Sequence, residues 1–205
     1  MTANTVFFIT GVSGTGKSTI GLRVASELGL VFEEGDSYHP AASVEKMSAG
    51  IPLEDADRWD WLTHLNKIAK DHLANDQSAI ISCSALKASY RALLSEGLCE
   101  GLSEGLGEGL SKELTGKLAE EKTNSLAKGV QSHVRFIYLH GSTYTIGQRL
   151  KQRQHFFVGD DMLKSQFSTL EVPTKDEAFF VDVTQSVDEV VATCKTFISS
   201  VTEAT

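Results

Sequence analysis

No stretch of this chain approaches the ~20 consecutive apolar residues that a membrane-spanning helix requires. The apolar run Val6–Ile9 is too short for the core of a secretory leader and runs straight into glycines. Cysteine is scarce. Cys83, Cys99 and Cys194 are the three present, an odd and dispersed set without a Cys-x-x-Cys pair. Such a set predicts free thiols in a reducing compartment, with the cytoplasm as the expected location. The last residues, Glu203-Ala204-Thr205, carry no recognisable address. Positive charge is also in deficit: 19 Lys and Arg face 27 Asp and Glu, a net charge of −8. That balance argues against nucleic acid or an anionic membrane as partner. His64, His72, His133 and His140 show no ligand spacing for zinc.

What is present suits one folded unit over residues 1–205, with 41% hydrophobic and 22% charged residues. Strand-like runs at Val6–Thr10, Val31–Glu34, Ala79–Cys83, Arg135–Leu139 and Phe179–Val183 alternate with helical patterns. One helix follows Gly11–Ser18 and ends near Gly29, a residue suited to a left-handed cap. A second is expected behind Asp57 as N-cap, with Trp61, Leu62, Leu65, Ile68, Ala69 and Leu73 at helical spacing. Ile146 and Leu150 mark the inner face of another. The last lines up Val187, Val190, Val191, Cys194, Ile198 and Val201. Strands alternating with helices predict a five-stranded parallel sheet covered on both faces, a three-layer α/β/α fold.

One stretch resists that pattern. Glu-Gly-Leu recurs four times at a period of four, beginning at Glu96, Glu100, Glu104 and Glu108, and leucines continue in step through Leu114 and Leu118. At 100° per residue a four-residue period slews ~40° per repeat, so six leucines wrap ~200° around a helix. Each glycine costs a helix interior ~1 kcal/mol relative to alanine. Residues of about 95–132 therefore read as an insertion between the third and fourth strands, either a surface excursion or an association helix.

Gly11-Val12-Ser13-Gly14-Thr15-Gly16-Lys17-Ser18 is a complete G-x-x-x-x-G-K-[ST] phosphate loop. Its glycines let backbone N–H groups turn inward around phosphates, and the helix behind it aims its positive dipole end at the same anion. Lys17 is expected to reach the β- and γ-phosphates of ATP, and Ser18 to ligate Mg²⁺. The motif lies between an expected strand and an expected helix, as the mechanism requires. A later strand ending in a metal-binding Asp is missing, since the third runs Ile80-Ile81-Ser82-Cys83-Ser84. Thr174-Lys175-Asp176-Glu177 is only a near miss to a guanine-reading motif. GTPase and motor readings lose weight, and small-metabolite kinases gain it.

Further blocks are more specific. They are Glu33-Glu34-Gly35-Asp36-Ser37-Tyr38-His39-Pro40, Lys46-Met47-Ser48-Ala49-Gly50-Ile51-Pro52-Leu53 and Asp55-Ala56-Asp57-Arg58-Trp59. Then follow Cys83-Ser84-Ala85-Leu86-Lys87 with Tyr90-Arg91, His155-Phe156-Phe157, and Ser165-Gln166-Phe167-Ser168-Thr169-Leu170-Glu171. In this order and spacing the chain resembles the gluconokinase family over about Val6–Leu94 and Val134–Val201. The resemblance implies a shikimate-kinase-like P-loop kinase fold with a lid at about 153–165, ATP with Mg²⁺, and D-gluconate as small-molecule substrate. It also implies 6-phosphogluconate as product, feeding the pentose phosphate pathway, and the family's habit favours a homodimer. The family's lid motif, Arg-x-Gly-His-Phe, is here Arg153-Gln154-His155-Phe156, one residue shorter and without the glycine.

The residues and the resemblance together suggest roles. ATP is expected on Gly11, Val12, Ser13, Gly14, Thr15, Gly16, Lys17, Ser18, Thr19, Arg149 and Gln185. Asp36, at the carboxyl end of a parallel strand, suits the base that takes the hydroxyl proton, although a plain turn residue is the alternative. Glu34 joins Ser18 on the metal side. His39 either bonds the substrate or packs under Pro40. Arg58 stands at a helix start, where a cation is disfavoured, which calls for an anionic partner. That partner is the substrate carboxylate, or else Asp55 or Asp57. Lys87 and Arg91, one turn apart, either bind substrate oxygens or form a solvated basic face. Arg149 and Arg153 are also one turn apart; they act from the lid, Arg153 on the transferred group, or are exposed helix-end arginines. His155 and Gln166 complete the substrate candidates. Two rivals remain: a kinase of another polyol acid such as shikimate, and a non-catalytic nucleotide-binding protein that uses the repeat to bind a partner.

Overall fold

The structure is a computed structural model, and it describes residues 4–98, 133–152 and 160–203. The strands are β1 (Val6–Thr10), β2 (Val31–Glu34), β3 (Ala79–Ser82), β4 (Val134–His140) and β5 (Ala178–Asp182). They form one sheet in the order β2-β3-β1-β4-β5, with every neighbouring pair parallel. All five carboxyl ends therefore open on the same rim. β1 sits at the centre with its five residues buried, as an uninterrupted apolar run between two helical layers must be.

Alternation along β1 sorts the core. Phe7 and Ile9 face a cluster with Ile20 and Val24 of α1 (Lys17–Leu28) and with Val190, Cys194 and Ile198 of α7 (Val187–Glu203). Val6 and Phe8 face the other side, against Trp61, Leu62 and Leu65 of α3 (Trp59–Ala74) and Tyr90 and Leu94 of α4 (Ala88–Leu94). Three more helices are α2 (Ala41–Ser48), α5 (Thr143–Gln152) and α6 (Asp160–Thr169). Gly29 closes α1 with φ 69°, its N–H on the Ala25 carbonyl. Val187 is an exception to the expected stripe on α7, being 42% exposed at the helix start. Burial also pushes the thiols of Cys83 and Cys194 up to about 12, so both stay protonated core residues.

Two expectations are corrected. Asp57 does not cap α3; Arg58 occupies the N-cap position with no side-chain cap bond. Asp57 instead belongs to a 3₁₀ turn, Asp55–Asp57, and its Oδ2 accepts the Glu54 N–H at 2.9 Å in a reciprocal capping box. An acid at the N-cap and another three residues on make a capping box, and Glu54 with Asp57 makes it around the 3₁₀ turn. Second, the first Glu-Gly-Leu unit belongs to the packed structure. Leu98 is 5% exposed within the α3–α4 cluster, and Asn66 Nδ2 donates to the carbonyls of Leu94 and Glu96, both at 3.1 Å. The other units lie outside the described residues. The ends of that stretch meet, because His133 N–H donates to the Leu98 carbonyl at 3.0 Å.

Candidate active site

The phosphate loop joins β1 to α1 at the centre of the carboxyl rim. Gly11, Gly14 and Gly16 take φ of 137°, 87° and 96°, values that a side chain strongly disfavours. At Gly11 a Cβ would also lie 2.5 Å from the Leu139 carbonyl oxygen, so β4 fixes how tightly the loop turns. Lys17 Nζ arches back to the Val12 carbonyl at 3.2 Å, and buried Thr15 bonds the same oxygen at 2.8 Å. Ser18 and Thr19 are exposed at the helix start. A glycine turn, a lysine and a helix amino end fit an anionic polyphosphate.

A cleft of about 260 Å³ opens beside the loop, lined by Gly14, Thr19, Arg149, Val183 and Gln185 among others. Arg149 donates to the carbonyls of Val183 and, at 3.4 Å, Gln185, closing α5 onto the turn after β5. A larger depression of about 430 Å³, between β5 and α7 around Phe179 and Phe197, carries no charged lining. It offers nothing to phosphate chemistry.

On the other flank, β2 and β3 end side by side. Ser82 Oγ donates to Glu34 Oε1 and accepts the Gly35 N–H at 3.1 Å. A Cβ on Gly35 would lie 2.0 Å from the Ser82 carbonyl oxygen, so only glycine lets the two ends meet. Trp61 Nε1 locks this corner through the Gly35 carbonyl at 2.7 Å. Asp36 follows, its side chain 68% exposed. Exposed hydroxyl of Ser18 and carboxylates of Glu34 and Asp36 are hard oxygen donors of the kind Mg²⁺ prefers. Ser82, which the sequence reading passes over, stands where other P-loop enzymes end the strand in an acid; its place at the end of β3 was the available signal.

His39 is 3% exposed along its side chain and lies flat on Trp61, ring centroids 4.1 Å apart. Its Nε2 is 3.9 Å from Asp36 Oδ1, and its buried Nδ1 has no hydrogen-bond partner among the described residues. Burial pulls its pKa down, Asp36 pulls it up and Arg58 pulls it down again. The buried Cys83 thiol in turn feels Asp36, Lys17 and Arg58. One buried point thus senses all three charges.

Arg58 has neither of its two suggested internal partners. Asp57 is held by Lys46 at 2.6 Å, and Asp55 by Lys87 Nζ at 2.7 and 2.8 Å and by the Tyr90 hydroxyl at 2.6 Å. Among the described residues, the guanidinium hydrogen-bonds only the Leu53 carbonyl, at 3.4 Å.

Lys87 and Arg91 do not share a face. Lys87 is the N-cap residue of α4, in extended conformation, and turns toward Asp55. Arg91 is 5% exposed and donates to the carbonyls of Ala85 (3.2 Å) and Glu171 (3.0 Å), with Glu177 at 3.5 Å. The guanidinium braces the loop after β3, where Ala85 takes φ 43°, unusual for a side-chain-bearing residue. Helical spacing fails here because Lys87 precedes the helix. Gln166 is bound to the phosphate loop, its Oε1 accepting the Ser13 N–H at 2.6 Å and its Nε2 donating to Ser13 Oγ at 3.0 Å. Arg153 and His155, with residues 153–159 of the expected lid, lie outside the described residues.

No family profile matches the chain. Individual proteins do. It is 38% identical over 193 residues to the probable gluconokinase of Mus musculus, covering 94% of this chain and 96% of that protein. The chain belongs to the gluconokinase family. Another member of the family, the thermosensitive gluconokinase of Escherichia coli K12, is 34% identical over 191 residues, covering 92% and 84%. The crystal structure of a gluconokinase from Sinorhizobium meliloti 1021 superposes with a TM-score of 0.71 at 32% identity, covering 99% of this chain and 95% of that one. The family is one of kinases, which use a nucleotide and act on a small molecule. Among the described residues no helix is long and apolar enough to cross a membrane.

Proposed function

We propose that this chain transfers the γ-phosphoryl group of ATP to the terminal hydroxyl of D-gluconate. The observation that carries the reading is Arg58: a half-buried guanidinium that, among the described residues, pairs with no carboxylate, and whose charge, like that of Asp36, acts on the buried His39 ring. A sugar acid supplies what that arrangement lacks, a carboxylate at one end and a hydroxyl at the other. Family membership supports gluconate as that acid.

In this reading, the phosphate loop holds the triphosphate by its amides, and Lys17 balances charge on the β- and γ-oxygens. Arg58 binds the gluconate carboxylate through its forked donors and so orients the far hydroxyl toward the loop. Asp36 accepts the hydroxyl proton as the oxygen attacks phosphorus and ADP leaves. His39, flat on Trp61, borders Asp36 and limits its swing. Mg²⁺, for which Ser18 and Glu34 are the donors, adds charge neutralisation at the phosphates when bound. Arg149 and Gln185 face the base. The sequence supports Arg153 as a further cation for the transferred group.

Arg58→Ala is expected to raise the KM for gluconate by roughly 10- to 100-fold, the loss of one charge-assisted contact, while the KM for ATP holds. Steady-state ADP release over gluconate, shikimate, glucose and nucleoside monophosphates checks both enzymes. An unchanged gluconate KM in the variant, or efficient turnover of glucose by the parent, sinks the proposal.

A further inference from the structure

Among the described residues Arg58 forms no ion pair despite an acidic neighbourhood, and that needs a cause. Glu54, Asp55 and Asp57 all lie within four residues of it. Asp57 is committed twice, to Lys46 at 2.6 Å and to the Glu54 N–H at 2.9 Å. Asp55 is committed three times. Lys87 Nζ bridges both its oxygens at 2.8 and 2.7 Å, and the Tyr90 hydroxyl donates to Oδ1 at 2.6 Å. The charge of Arg58 acts on both carboxyls, yet neither forms an ion pair with it. Tyr90 is fully buried, with Trp59 edge-on at 5.6 Å, so the anchor for Asp55 is rigid.

The Lys87–Asp55 link spans 32 positions, from the N-cap of α4 to the 3₁₀ turn that presents Arg58. A nearby carboxylate at high effective concentration would compete with any dissolved acid for the guanidinium. We propose that Lys87, with Tyr90, is a positioning residue for substrate selection: it holds Asp55 off Arg58 and so keeps the guanidinium open to the sugar acid's carboxylate. Lys87 then acts on the substrate through Asp55, without touching it. The inference rests on the role proposed for Arg58.

The test uses steady-state kinetics of the full chain. Lys87→Met frees Asp55 to pair with Arg58, and the gluconate KM is expected to rise roughly three- to fivefold, the scale of a partly exposed ion pair, with kcat and the ATP KM held. Asp55→Asn added to Lys87→Met removes the competitor and returns the gluconate KM to the parent value. Asp60→Asn added to Lys87→Met restores the same net charge two residues from Arg58, yet leaves Asp55 in place, so its KM stays raised. Asp55→Asn alone leaves the gluconate KM unchanged, and it also serves if Lys87→Met fails to fold by thermal melting. A flat KM in Lys87→Met, a double variant with Asp55→Asn that stays impaired, or full rescue by Asp60→Asn overturns the proposal. If Arg58→Ala raises the gluconate KM while Lys87→Met does not, this inference fails and the substrate reading stands. If Arg58→Ala is silent, the substrate reading itself fails.

Discussion

Lys17→Ala removes phosphoryl transfer, with kcat/KM expected to fall by roughly three orders of magnitude or more. Its ammonium is the one cation built into the phosphate loop itself, fixed at the first turn of α1 and folded across the loop to the Val12 carbonyl. No other residue of Gly11–Ser18 carries charge. The fold should survive, because the core beneath is made by Ile20, Val24 and β1 rather than by the lysine stem. A melting temperature within a few degrees of the parent, measured beside a coupled assay of ADP release, separates chemistry from unfolding. Near-normal turnover in that variant would falsify the placement of the active site.

Asp36→Asn should lower kcat by roughly 10²–10⁴-fold while nucleotide affinity stays close to the parent value, the range for losing a general base. Asparagine keeps the size of the side chain and loses its capacity to take a proton. The Asp36 carboxylate is 68% exposed, with the His39 ring nitrogen 3.9 Å away, so the substitution disturbs little packing. Single-turnover rates with saturating ATP and gluconate, together with ADP affinity by titration, decide it. A variant with intact kcat and weakened nucleotide binding would move Asp36 to the metal side, next to Glu34.

How much of this was legible follows from the range of each signal. The sheet was, because five short apolar runs spaced by helical patterns leave few arrangements, and each run lies within a residue of its strand in the structure. The phosphate loop was, because glycine conformation and lysine position are local properties of one octapeptide. Arg58 was half legible: its awkward place at a helix start implied an anionic partner, but that Asp55 and Asp57 were already engaged depends on Lys46, Lys87 and Tyr90, up to 35 positions away. The surroundings of Arg91 were hidden for the same reason. Spacing says which face of a helix a residue is on, and the carbonyls of Ala85 and Glu171 that drew it inward come from loops. Ser82 was invisible as a partner for Glu34 until β2 and β3 were known to be neighbours.

The hydrogen bond between His133 and Leu98 bears on how this lineage can change. It sits at the amino end of β4, and the His133 carbonyl also accepts the Val6 N–H at 2.8 Å, at the amino end of β1. The carboxyl rim lies a five-residue strand away, roughly 15 Å at 3.3 Å per residue. The contact closes the ends of whatever chain joins Leu98 to His133, and each doubling of that chain's length costs only about 0.6 kcal/mol in closure entropy. The stability of the fold therefore constrains the length of such a stretch only weakly.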